Sequence, residues 1–82
     1  MTEMRKYIQS VIRCMEQALS HENEVSVKRR IITGFINQMR GANDFAQNAE
    51  IISIEIWKYY FAEIEKIQDE YLSKYDYEKE NS

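Results

Sequence analysis

The stretch IISIEIWKYYFAEIEKI, residues 51–67, carries isoleucine and aromatic side chains at more positions than one face of a small helix requires. Apolar residues return at Ile56, Tyr60 and Ile64, which is the spacing of a buried helical face. Among the first six residues, apolar and polar side chains also alternate on both sides of Ile54, which is the pattern of a strand. We interpret the stretch as helix, because its flanks keep helical spacing and no turn signal offers a strand to pair with.

The chain around this stretch contains few signals that would stop a helix. It has no proline, and its two glycines are Gly34 and Gly41. Asp44, with Gln47 three residues later, resembles a capping box, which marks the start of a helix. We therefore predict a third helix over residues 44–75, a rod of roughly 45 Å and nearly twice as long as its predecessors. Its buried stripe is predicted to contain Phe45, Ala49, Ile52, Ile56, Tyr60, Ile64, Ile67 and Tyr71.

Two shorter amphipathic stretches precede it, and they predict helices over residues 3–20 and 24–40. The polar letters SHENE, residues 20–24, separate the two, so that they form a hairpin. The letters GAND, residues 41–44, are predicted to end the second helix, with Gly41 as a left-handed C-cap. The predicted fold class is all-α: an antiparallel helical hairpin plus one long third helix, together a three-helix bundle.

The size of the chain predicts one domain. It has 82 residues, of which 44% are hydrophobic and 30% charged. We expect a single helical domain over residues 1–76 and a frayed polar tail over residues 77–82. A core this small is marginal without help, and the lone cysteine, Cys14, offers no internal disulfide. Regular helix packing or association with a second chain is therefore expected to stabilise the fold.

The charge balance argues against nucleic acid and membranes as partners. The net charge is −3, so the molecule as a whole repels phosphates and anionic lipids. No uncharged apolar run approaches the roughly 20 residues that span a bilayer, and no basic-then-apolar start suggests secretion. We expect a cytoplasmic protein in a reducing compartment.

The third helix has an apolar surplus. Four residues lie outside the stripe that the hairpin would cover, so that the apolar arc spans roughly 200°, twice what a surface helix needs. These predicted protein-binding residues are Ile54, Trp57, Phe61 and Leu72. Either the helix lies deep in the hairpin groove and buries both flanks there, or a second chain covers them. A second copy is the simplest partner, because one patch covers itself about a two-fold axis.

Few residues could carry chemistry. Cys14 and His21 are the only thiol and the only imidazole, and seven helical residues place them about 10 Å apart, too far to share a proton. The letters HENE, residues 21–24, could hold a metal only weakly, since no second His or Cys cluster converges on them. No glycine-rich phosphate loop is present. We expect no catalytic residues, no metal, no cofactor and no small-molecule substrate, and therefore no enzyme.

Lys28, Arg29 and Arg30 form the one basic cluster. Three cations near a helix N-terminus oppose the helix dipole, so they need acidic neighbours or an acidic protein partner. The alternative is phosphate contact, with the second helix serving as part of a helix-turn-helix. The predicted function is a small acidic helical protein-binding module, such as an adaptor, regulator, inhibitor or chaperone-like protein, acting as a homodimer. The alternative function is a small helical DNA-binding regulator that uses this cluster.

Overall fold

A computed structural model describes residues 2–75 of the chain. It contains three helices, α1 (Thr2–Ser20), α2 (Val25–Asn48) and α3 (Ile54–Lys74), and no strand within the described residues. The predicted all-α, three-helix class is confirmed. The tail predicted for residues 77–82 lies outside the described residues.

The three helices run antiparallel in sequence order. At one end of the bundle, Asp44 near the end of α2 contacts Trp57 near the start of α3. At the other end, Arg29 near the start of α2 contacts Leu72 near the end of α3. Short connections favour this order, because consecutive helices then lie side by side. One flank of α2 therefore packs against α1 and the other against α3.

The core lies between the three apolar stripes. The side chains that pack there recur every three or four residues on each helix, as the sequence pattern predicts. Met15, Ile32, Met39 and Ile64 are completely buried. The full cluster is Met4, Ile8, Val11, Met15, Leu19, Ile32, Ile36, Met39, Tyr60 and Ile64.

The predicted break at GAND is wrong, because α2 continues through it to Asn48. Gly41 has no positive φ and is an interior helical residue. Asp44 is not a helix cap but lies in the last part of α2. The buried stripe explains the continuation: Asn43 follows Met39 at helical spacing and is buried, with 1% of its surface exposed, and its amide donates to the Trp57 carbonyl. A glycine slightly weakens a helix, and without further stop signals it does not end one.

The stop signal lies at residues 49–53 instead. Glu50 adopts a left-handed conformation with φ of 59°. Its amide donates to the carbonyl of Gln47 at 3.0 Å, and the amide of Ile51 donates to the carbonyl of Ala46 at 2.8 Å. These two bonds form a Schellman motif, in which a residue with positive φ closes the helix end. Ile52, within this turn, is buried.

The third helix is consequently shorter than predicted. It begins at Ile54, where the hydroxyl of Ser53 caps it by accepting from the amide of Ile56 at 3.3 Å. It has 21 residues, against 19 in α1 and 24 in α2, so it is not a rod nearly twice as long as its predecessors. Phe45 and Ala49 therefore do not belong to its stripe. Its later stripe residues, Ile56, Tyr60, Ile64, Ile67 and Tyr71, lie in or against the core.

Candidate protein-binding surface

Three of the predicted binding residues, Ile54, Trp57 and Phe61, lie along the flank of α3 that faces α2, and we call them the α3 face. The exposed fraction is 51% for Ile54 and 38% for Phe61, whereas Trp57 is half buried. Spacings of three and four residues place them in one line on the helix. The Ser53 cap fixes where α3 begins and hence which way this line points.

Trp57 is held by two consecutive residues of α2. Its indole Nε1 donates to Asp44 Oδ1 at 2.8 Å. Its backbone carbonyl accepts from Asn43 Nδ2 at 3.0 Å, while Asn43 Oδ1 has no partner among the described residues. A buried amide and a carboxylate thus join the end of α2 to the first turn of α3. The indole is held in place on the surface of the bundle.

Phe61 lies between two other side chains. Its ring centroid is 5.3 Å from that of Trp57, in a tilted arrangement. The Arg40 guanidinium lies 5.3 Å from the Phe61 centroid and donates to Gln68 Oε1 at 2.6 Å. Aromatic and cation–π contacts of this kind hold rings in fixed orientations. The α3 face therefore presents rigid rings, as protein-binding surfaces commonly do.

Leu72, the fourth predicted residue, lies elsewhere. It is half buried and packs against the core. Its carbonyl accepts from Arg29 Nη1 at 3.1 Å. The structure therefore brings together Ile54, Trp57 and Phe61 and places Leu72 at the other end of α3.

Two of the most exposed apolar side chains were not among the predicted binding residues. Phe45 is 67% exposed and Ile51 is 68% exposed. Phe45 lies on the outer side of α2, six residues after the buried Met39, and Ile51 belongs to the turn. The predicted break at GAND places both residues in the third helix, whereas the observed break lies at residues 49–53.

A second apolar surface lies between α1 and α2. It is a shallow groove of about 260 Å³ whose lining includes Ala18, Ile31, Gly34 and Phe35. Ile31 and Phe35 also pack against the core. The groove exposes less of its large side chains than the α3 face does, so the α3 face is the stronger candidate.

The basic cluster faces the end of α3. Arg29 Nη1 donates to the carbonyls of Leu72 and Tyr75, at 3.1 and 2.8 Å. The ammonium of Lys28 lies 5.0 Å from the ring centroid of Tyr75. Arg30 is exposed. Cations at a helix C-terminus are favourable, so the C-terminal end of α3 stabilises the positive charges of Lys28 and Arg29. Contact of this cluster with acidic protein or with phosphate stays a prediction.

A polar cleft of about 350 Å³ lies beside this cluster, between the ends of α1 and α3. Its lining includes Glu16, Tyr71 and Lys74, and the Lys74 ammonium lies 4.5 Å from the Tyr71 centroid. Burial of the phenol raises the pKa of Tyr71 to about 12, and the Glu16 carboxylate contributes to this rise by hydrogen bonding and by its negative charge. The neutral phenol therefore links α3 to α1.

The chemically reactive residues stand apart from these surfaces. Cys14 is a free, exposed thiol on α1, and His21 is exposed in the following loop. Within residues 2–75, no group of three His, Cys, Asp or Glu side chains is arranged to hold a metal ion. In the same part of the chain, the helices are too short or too polar to cross a membrane.

Comparison of the chain with protein families, with curated proteins and with solved structures found no match. The function is therefore inferred from the α3 face itself.

Proposed function

We propose that this chain is a non-enzymatic protein-binding module that acts through the α3 face. The exposure of Ile54 and Phe61 supports the proposal most directly. Each large apolar side chain left in water forgoes roughly 1.5–3 kcal/mol that burial would provide. Contiguous apolar residues on a small protein commonly mark an interface.

The way the face is built also supports binding. Trp57 is fixed by its bond to Asp44, and Phe61 is fixed between Trp57 and Arg40. Rings held before binding lose little conformational freedom when a partner covers them. Aromatic and arginine side chains are also the residues that contribute most energy at protein interfaces. We propose a reducing, cytoplasmic setting, in keeping with the free thiol of Cys14.

Site-specific photo-cross-linking tests this function. A photoreactive phenylalanine analogue at position 61 should form protein adducts in cells that express the chain. The matched control is the same analogue at Lys66, which is 77% exposed on the same helix but points about 140° away from Phe61. Adducts at 61 and not at 66 are expected. Equal labelling at both positions, or none at 61, would refute the proposed function.

A further inference from the structure

Two exposed charges, Lys58 and Glu65, lie beside the α3 face. Together with Ile54 and Phe61 they form a series, 54, 58, 61 and 65, whose members are four, three and four residues apart. This spacing places all four side chains on one side of the helix. Within residues 2–75, neither charge has an ion-pair partner, whereas Lys66 pairs with Glu63 on another side of α3. Lys58 and Glu65 therefore place one positive and one negative charge on this side of α3, both unpaired in this part of the chain, beside the Arg40 guanidinium that lies 5.3 Å from the Phe61 centroid.

The two charges are placed symmetrically along the helix. Lys58 and Glu65 are equally far from the midpoint between Phe61 and the exposed Ala62. A two-fold axis through that midpoint, perpendicular to the helix, would bring Lys58 opposite Glu65 of a second copy, and would do so twice. It would also bring each Phe61 ring against the small Ala62 side chain of the other copy.

We propose that α3 binds α3 of a second copy in an antiparallel pair centred between residues 61 and 62. This inference rests on the proposed function and names its partner. A parallel pair would place Lys58 against Lys58 and Glu65 against Glu65, and like charges directly opposite each other repel. The charge order along the helix therefore selects the antiparallel arrangement.

Other occupants fit this surface less well. The charges of Lys58 and Glu65 cancel, and the net charge of −3 on the whole chain opposes binding of phosphate or anionic lipid. A C2 contact needs a self-complementary patch, which one Lys and one Glu about an apolar centre provide. The paired surface is one helix flank, so we expect a weak dimer with a dissociation constant on the order of micromolar.

A charge-exchange experiment tests the pairing. Lys58→Glu gives two contacts between acidic side chains across the dimer, and Glu65→Lys gives two contacts between basic ones. Each variant alone should raise the dimer dissociation constant about ten-fold or more in sedimentation equilibrium at low salt. The double variant, Lys58→Glu with Glu65→Lys, exchanges the charges, and its dimer dissociation constant should return to within about three-fold of the wild-type value. Glu and Lys have similar helix propensities, and circular dichroism checks that the monomer fold persists.

Mixing the two single variants provides the sharpest control. In the heterodimer, the two acidic side chains of the Lys58→Glu chain face the two basic side chains of the Glu65→Lys chain. An equimolar mixture should therefore associate more tightly than either variant alone. Single variants that dimerise like the wild type, or a double variant that is not restored, would overturn the pairing. If position 61 cross-links only to other proteins, the proposed function stands and this inference fails; if it cross-links to no protein, both fail.

Discussion

The indole of Trp57 donates to the carboxylate of Asp44 over 2.8 Å, which joins the first turn of α3 to the end of α2. This bond sets the position of the ring that supports Phe61. The α3 face therefore depends on α2 for its shape. A change on α2 should disturb a surface that lies on α3.

Replacing Asp44 tests that bond. Asp44→Ala removes the acceptor and should lower the free energy of unfolding by about 1 kcal/mol. Asp44→Asn keeps an oxygen acceptor in the same place and should stay close to the wild type. Urea unfolding followed by Trp57 fluorescence measures both. Equal stabilities for the two variants would show that the indole does not need this acceptor.

The position of the second break predicts two stabilising substitutions. Glu50 is left-handed, with φ of 59°, so Glu50→Gly should raise the free energy of unfolding by about 1 kcal/mol. Gly41 lies inside α2, and a Cβ there would meet nothing within 4 Å. Gly41→Ala should therefore stabilise by about 0.5–1 kcal/mol.

Thermal unfolding of both variants decides where α2 ends. If the helix ended at GAND, Ala at position 41 would be strained and the protein would melt at a lower temperature. A loss of stability in Gly41→Ala together with no gain in Glu50→Gly would contradict the observed helix boundary.

Arg29 should matter more for stability than its neighbour. Its guanidinium donates to the carbonyls of Leu72 and Tyr75 at the end of α3. Arg29→Ala should therefore cost about 1–2 kcal/mol. Arg30 is exposed, and Arg30→Ala should change stability by less than about 0.5 kcal/mol. Chemical denaturation measures the free energy of unfolding of both variants. Equal losses of stability would argue against Arg29 as the cap of α3.

Tyr71 should make stability depend on alkaline pH. Its pKa is raised to about 12 in the folded chain, above the ordinary value of 10.0. A raised pKa means that the neutral phenol is the form that folding favours. Its contribution is therefore complete below about pH 10 and is lost as the pH rises through about 12.

The Tyr71→Phe variant checks this assignment. Absorbance titration of tyrosinate should show that the variant lacks the group that titrates near pH 12 in the wild type. The stability difference between wild type and variant should shrink from about pH 9 to about pH 11.5. If the missing group titrates at the ordinary value of 10.0 instead, the burial of the phenol and its contact with Glu16 are contradicted.

The helical class could be predicted because each helix carries a continuous apolar stripe. Core positions such as Ile8, Ile36 and Ile64 follow from spacing alone. The second break could not be found the same way. Gly41 looks like a C-cap, but the residue that takes the left-handed conformation is Glu50. Glutamate is not a residue type that predicts this conformation. The local preference of Gly41 was overridden by the burial of Asn43 before the true break and of Ile52 within it.

The candidate surface could be predicted in part. Ile54 and Phe61 follow from their place outside the core stripe, and both are exposed. The support of Trp57 by Asp44 could not be predicted, because the sequence pattern around Asp44 is typical of a helix start. Helical angle alone groups Leu72 with the other three residues, but the core continues under the end of α3 and half buries Leu72.

The oligomeric state tests the central claim most directly. Light scattering across micromolar concentrations should show the wild type approaching twice the 9.9 kDa chain mass. Phe61→Asp should stay monomeric, because an ionised carboxylate cannot be buried there without a large desolvation cost. Tyr59→Asp makes a matched change on the opposite flank of α3 and should leave the dimer intact. A wild type that remains monomeric at high micromolar concentration, with Phe61→Asp melting at the same temperature, would contradict self-association through the α3 face.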